Sequence, residues 1–144
     1  MNAVAARWPD VGAWLTVFLP EALETEGEPA TYVREEKPSI DGDPALVKPY
    51  RQLLVAVFPG PRITPVTRTV RVTLQAWVVK ENGLADLDAA EQLAGVAGYV
   101  IETAPTVGTP LNFAEIDSGP NRTKDSASAV EYMALTLVLE VNAL

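Results

Sequence analysis

The chain has 144 residues, of which 19 are acidic and 11 are basic, and it contains neither cysteine nor histidine. Its length suits one domain that buries roughly 70% of the surface exposed by the unfolded chain. The missing residue types exclude disulfides, thiolate nucleophiles, imidazole metal ligands and histidine-dependent triads, and the net charge of −8 disfavours sequence-independent binding to nucleic acid.

The first predicted element is a helix over residues 9 to 19. Apolar residues share one stripe of this helix at spacings of three and four: Val4, Trp8, Val11, Leu15 and Phe18. Asp10 lies beside the positive end of the helix dipole, and Pro20 is expected to end the helix. Because Pro9 and Asp10 interrupt the apolar run, we interpret it as a core helix and not a signal peptide, and we expect the protein in the cytosol after synthesis. No apolar run approaches the roughly 20 residues of a membrane span.

Residues 21 to 49 form an acidic region broken by prolines. Six glutamates lie between positions 21 and 36, and prolines follow at 38, 44 and 49. We predict mostly loop here, with one short edge strand around "ATYVREE". The turn-like "DGDP" at 41 to 44 lacks the longer ligand ladder and the final glutamate of a calcium loop, so no metal site is predicted.

Two strands are predicted between residues 51 and 80. The continuous apolar run "RQLLVAVF" at 51 to 58 indicates a strand buried on both faces, and "PGPRITP" is expected to break it. The stretch from 67 to 80 alternates, which predicts a long antiparallel strand with one apolar and one wetter face. Its apolar face carries Val70, Val72, Leu74, Ala76 and Val78. The two strands are expected to form a hairpin-like pair.

A second helix is predicted from about 85 to 103, followed by two more strands. Apolar residues repeat at helical spacing from Leu87 to Ile101, and Pro105 is expected to end the helix. The segments "LNFAEIDS" and "AVEYMALTLVLEV" then indicate strands on either side of a polar passage. The order predicts a single α+β domain over residues 1 to 144, with an antiparallel-rich mixed sheet and two helices packed mainly on one face.

No catalytic, cofactor or metal site is predicted. "GPN" at 119 to 121 is not accompanied by a phosphate-binding glycine loop, and Ser118 has no histidine to activate it. The carboxylates at 35 and 36 would point to opposite faces of a strand, and those at 86 and 88 suit a helix start. Both pairs are therefore interpreted as structural, and we do not expect an enzyme.

Two segments rich in glycine and proline carry cations in this acidic chain. The predicted contact residues are Gly60, Arg62 and Arg68 in or near "FPGPRITP", and Gly119, Pro120, Arg122, Lys124 and Asp125 in "DSGPNRTKD". In a homo-oligomer, such loops would meet acidic faces such as residues 21 to 36 in head-to-tail contacts, which close into rings. The alternative is that both segments are solvated hairpin tips.

The order of motifs along the chain is distinctive. A strand leads through "PGPR" into one ending in "LQAWVV", a helix opens with "DLDAAEQLA", and "SGPNRTKD" precedes the closing "EYMALTLVLEV". Over residues 50 to 142, with Trp77 near the end of the long strand and Tyr132 leading the last one, this order resembles the tail terminator proteins of long-tailed, non-contractile bacteriophages. The N-terminal helix matches loosely, and the region 21 to 49 is longer than the family leads us to expect.

The resemblance implies a virion protein that assembles in the host cytoplasm as a hexameric ring on the head-proximal end of the tail tube. Such a ring stops tube polymerisation and offers the surface that joins the tail to the head. Its partners would be other copies of itself, the tail tube protein and a neck or head-completion protein, with no cofactor and no membrane. Genomic DNA would only pass through the lumen, which the negative charge suits.

Two other functions are open on sequence grounds. A neck or head-completion connector of a tailed phage is also small and ring-forming, and a long central hairpin fits it equally. A small-molecule-binding α+β domain would be supported by a pocket lined by Trp8, Trp14 or Trp77. The missing histidine and cysteine disfavour this second alternative.

Overall fold

The computed structural model describes residues 7–35, 47–125 and 130–144. Its elements in chain order are α1 Val11–Thr25, β1 Tyr32–Glu35, β2 Tyr50–Thr64, β3 Thr67–Val79, α2 Leu87–Glu102, β4 Leu111–Lys124 and β5 Glu131–Asn142. The strands form one five-stranded sheet in the order β1-β2-β3-β5-β4, with β1 parallel to β2 and every other neighbouring pair antiparallel. The predicted α+β class with a mixed, antiparallel-rich sheet is confirmed.

Both helices pack on the same face of the sheet and share one core with it. The inward residues of the two central strands are Val70, Val72, Leu74, Ala76, Met133, Leu135, Leu137, Leu139 and Val141. Helix α1 adds Leu15, Leu19 and Leu23, and α2 adds Leu93 and Ile101, all fully buried. Burying one such side chain stabilises the fold by about 1.5–3 kcal/mol. The predicted placement of the helices is therefore confirmed.

Helix α1 is longer than its sequence predicts. Asp10 caps it, since its side chain accepts a hydrogen bond of 3.0 Å from the backbone N–H of Ala13. The prediction that Pro20 ends the helix is wrong, because Pro20 lies inside α1 and the helix continues to Thr25. An interior proline costs roughly 3 kcal/mol, but ending the helix there would expose Leu23, which the core buries completely.

Strand β2 also runs past its predicted end. Residues 52 to 56 are all buried, which confirms a strand covered on both faces. The predicted break at 59 to 65 is wrong: β2 continues to Thr64 through two register shifts that flank Arg62. Among the described residues, β1 accompanies β2 only as far as Val55, so the outer edge of β2 is unpaired beyond that point. Prolines are tolerated on such an edge strand.

The region 21 to 49 is only partly the predicted loop. Residues 21 to 25 belong to α1, and the predicted edge strand is present as β1. Glu35, at the end of β1, lays its carboxylate over Gly12 in the first turn of α1, where the helix dipole favours negative charge. The turn-like "DGDP" and Glu36 lie outside the described residues.

Helix α2 confirms the predicted span closely. Asp86 caps it by accepting a hydrogen bond of 3.2 Å from the N–H of Ala89, and Asp88 lies in the first turn. The structural interpretation of these two carboxylates is therefore confirmed. Neither helix of the described residues is long and apolar enough to cross a bilayer.

Candidate assembly surfaces

The β2–β3 hairpin turns at one end of the sheet and packs on residues near the start of the chain. The guanidinium carbons of Arg62 and Arg68 lie 5.7 and 5.1 Å from the ring centroid of Trp8. Contacts at this distance are cation–π interactions. We call this part of the molecule, residues 58–68 with Arg7 and Trp8, the hairpin end.

Hydrogen bonds join the hairpin end to the residues that follow β5 and also form within the hairpin. Ala143 donates its N–H to the carbonyl of Val66, and Leu144 donates to the carbonyl of Arg7, each at 2.7 Å. Within the hairpin, Nη2 of Arg68 donates to the carbonyl of Gly60 at 2.9 Å. The turn of the hairpin is therefore hydrogen-bonded to the residues that follow β5, and Trp8 packs on its two arginines.

Apolar side chains cover the tip of this fixed structure. Ile63, near the end of β2, is 56% exposed, and Val66, in the turn itself, is 58% exposed. Among the described residues neither Arg62 nor Arg68 has a carboxylate within ion-pair distance, and Nε of Arg68 is buried without an acceptor. Apolar side chains rimmed by charges are typical of protein–protein contacts.

The second predicted contact segment is not a loop. Strand β4 runs to Lys124, and its pairing with β5 shifts between Ser118 opposite Thr136 and Asn121 opposite Ala134. Gly119 and Pro120 therefore form a bulge inside a strand. The true connection lies beyond Asp125, whose N–H donates to the carbonyl of Val130 at 2.9 Å.

Arg122 is bound to its own hairpin. Its Nη2 lies 2.8 and 2.6 Å from the two carboxylate oxygens of Glu131 on β5. Lys124 is paired in register with the same glutamate. The pattern of cations in the sequence did not reveal this partner, because cross-strand register depends on the bulge at 119 to 120.

The two predicted contact segments lie at opposite ends of the sheet. Arg68 is paired with Val141, whereas Arg122 is paired with Met133. Strand β5 rises about 3.4 Å per residue between these positions, which separates the segments by roughly 27 Å. They cannot form one contact surface within a single molecule.

The helix layer carries only negative charge. Exposed acidic residues are Glu21 and Glu24 on α1, and Asp88, Glu91 and Glu102 on α2, and no Lys or Arg occurs within either helix. Because α1 begins beside the hairpin end, Glu21 and Glu24 lie on the far part of the helix, which rises about 1.5 Å per residue. The molecule therefore has a cationic, apolar end and an acidic helical surface away from it.

The sheet face opposite the helices carries both polar and apolar side chains. Strand β3 presents Thr69, Thr73 and Gln75, and Arg71 makes an ion pair of 3.8 Å with Asp117 of β4. On the same face, Phe58 of β2 is 53% exposed and Trp77 of β3 stacks on Tyr132 of β5. One face of an antiparallel sheet commonly meets water.

The three tryptophans that could have lined a ligand pocket are apart, and each has an aromatic or cationic partner of its own. Trp14 stacks on Phe18 with ring centroids 4.9 Å apart, and Trp77 stacks on Tyr132 at 4.4 Å. Trp8 lies under the arginines of the hairpin end. A cleft of about 440 Å³ between the end of α2 and β4 contains no tryptophan, and Glu102 spans it to accept the N–H of Ile116 at 2.9 Å. Among the described residues no group of three or more acidic side chains is placed to hold a metal ion.

We expect Arg122→Ala to lower the free energy of unfolding by at most about 1 kcal/mol, because the Arg122 side chain is 60% exposed in its pair with Glu131. Lys124→Ala removes a cation but no described ion pair, so it should change the free energy of unfolding less. Exchanging the charges, as Arg122→Glu with Glu131→Arg, should restore stability in urea titrations. A loss above about 2 kcal/mol for Arg122→Ala would show that this ion pair stabilises the fold more than exposed ion pairs usually do.

Comparison with known proteins adds no family assignment: no protein-family model matches the chain, and no curated protein matches its sequence.

Proposed function

We propose that this chain is a tail terminator of a long-tailed, non-contractile bacteriophage. Copies would form a ring, expected to be a hexamer, that caps the head-proximal end of the tail tube, stops its polymerisation and offers the surface for head attachment. The observation that carries the proposal is the hairpin end, an apolar tip rimmed by Arg62 and Arg68 and fixed by hydrogen bonds from residues 143 and 144. The resemblance of residues 50 to 142 to tail terminator proteins is the reason for proposing that the assembly is a terminator ring.

The distribution of charge supports a head-to-tail ring. A cationic end and an acidic helical surface on the same subunit are complementary between copies, and heterologous contacts of this kind close into rings when the rotation permits. The sheet face opposite the helices would then be the surface available to line the lumen. It carries Glu115 and Glu140 together with the paired Arg71 and Asp117. DNA would slide past it without specific contacts.

The experiment is deletion of the gene from its phage, followed by electron microscopy. Loss of a terminator should leave tails that are abnormally long and not joined to heads. Loss of a neck protein, the second candidate, should leave free tails of normal length and heads that leak DNA. Normal virions would overturn the proposal.

A further inference from the structure

We propose that the hairpin end of one copy docks on the outer surface of helix α1 of a second copy, around Val17, Glu21 and Glu24. The inference rests on the proposed ring and names the contact that would build it. The partner that binds the hairpin end is therefore a second copy of this chain.

The two surfaces match in chemistry. On the hairpin end, Ile63 and Val66 are exposed, and Arg62 offers an exposed guanidinium that has no carboxylate partner among the described residues. On α1, Val17 is 77% exposed, and Glu21 and Glu24 follow it on the same face at spacings of four and three. In the docked pair, Val17 beside the two carboxylates would contact Ile63 and Val66 beside the guanidinium of Arg62.

Other ways of joining two copies fit the structure less well. Two hairpin ends brought together would place like-charged arginines against each other, which is costly at an interface. Pairing through the free edge of β4 is hindered, because that strand has register shifts near Asn112, Asp117 and Gly119 and carries Pro120. Bulges and prolines of this kind keep edge strands from pairing.

Cysteine cross-linking tests the contact directly, because the chain has no native cysteine. Val66→Cys and Val17→Cys are purified separately, mixed at high concentration and treated with a short bis-maleimide. We expect a covalent dimer in the mixture and little in either variant alone. The double variant should give a ladder of products up to the ring.

The matched control is Leu84→Cys mixed with Val17→Cys. Leu84 is 63% exposed, close to the 58% of Val66, but it lies in the β3–α2 connection, away from the hairpin end. Equal yields from the two mixtures would overturn the inference, and so would no product from the Val66 and Val17 pair.

Charge reversal gives a second, independent readout. Arg62→Glu in one partner should lower the cross-linking yield roughly tenfold, because it sets like charges together. Glu21→Arg in the other partner should restore it, and a failure of rescue would contradict the contact. Rings seen by electron microscopy without the cross-link would refute the contact and leave the proposed function standing, whereas the cross-link with normal virions after gene deletion would do the reverse.

Discussion

Gly119→Ala is expected to lower the free energy of unfolding by about 2 to 4 kcal/mol, one of the largest effects of any single exchange outside the core. Gly119 has a φ of +97°, which side-chain-bearing residues rarely adopt. A Cβ there would lie 2.5 Å from the carbonyl oxygen of Ala134 and 2.9 Å from the Cα of Leu135. Both are backbone atoms of β5, so neither moves without disturbing the β4–β5 pairing.

Gly108→Ala is the matched control for backbone strain. Gly108 also has a positive φ, +78°, but a Cβ there would meet no atom within 4 Å. Its replacement should cost only the strain, about 1 to 2 kcal/mol. Urea titrations of both variants measure the difference, and equal losses would show that the contact with β5 relaxes without cost.

The same glycine shows why part of the fold could not be predicted from the sequence. "SGPN" has the composition of a turn, and local reasoning places a loop there. The pairing with β5 converts it into a bulge within a fourteen-residue strand. In the same way "PGPR" is held as a strand by its pairing with β3, where Pro59 lies opposite Val70 and Arg62 opposite Arg68, and Pro20 is held inside α1 by the burial of Leu23. In each case a distant contact outweighed a local preference.

Elements with a strong periodic pattern were predicted well for the converse reason. The alternation of β3 and the capped apolar repeat of α2 specify both the element and its buried face, and tertiary packing agrees with them. Of the predicted contact residues, Arg62 and Arg68 lie on a fixed, exposed end, whereas Arg122 is paired with Glu131. Sequence identifies the cations, but only cross-strand register identifies which of them already has a carboxylate partner.

Leu135→Ala should lower the free energy of unfolding by about 3 to 5 kcal/mol, because it opens a cavity in the centre of the sheet. Leu135 is fully buried on β5, and its two methyl carbons lie 3.0 and 3.1 Å from the position that a Cβ on Gly98 would take. Helix α2 has no side chain at Gly98 to fill the space. Thr136→Ala, the neighbouring residue on the polar face, should cost far less and serves as the control.

A double-mutant cycle that combines Gly98→Ala with Leu135→Ala tests the same contact between α2 and β5. In the native background the added methyl group meets Leu135 and Ile116 at 3.0 to 3.1 Å, so crowding offsets the gain in helix propensity of about 1 kcal/mol. After Leu135→Ala, the same methyl group enters the cavity and should recover at least about 1 kcal/mol. The two exchanges are therefore expected to be non-additive in urea titrations, as for residues that share a cavity. Additive losses would mean that α2 and β5 do not pack at Gly98 as the structure places them.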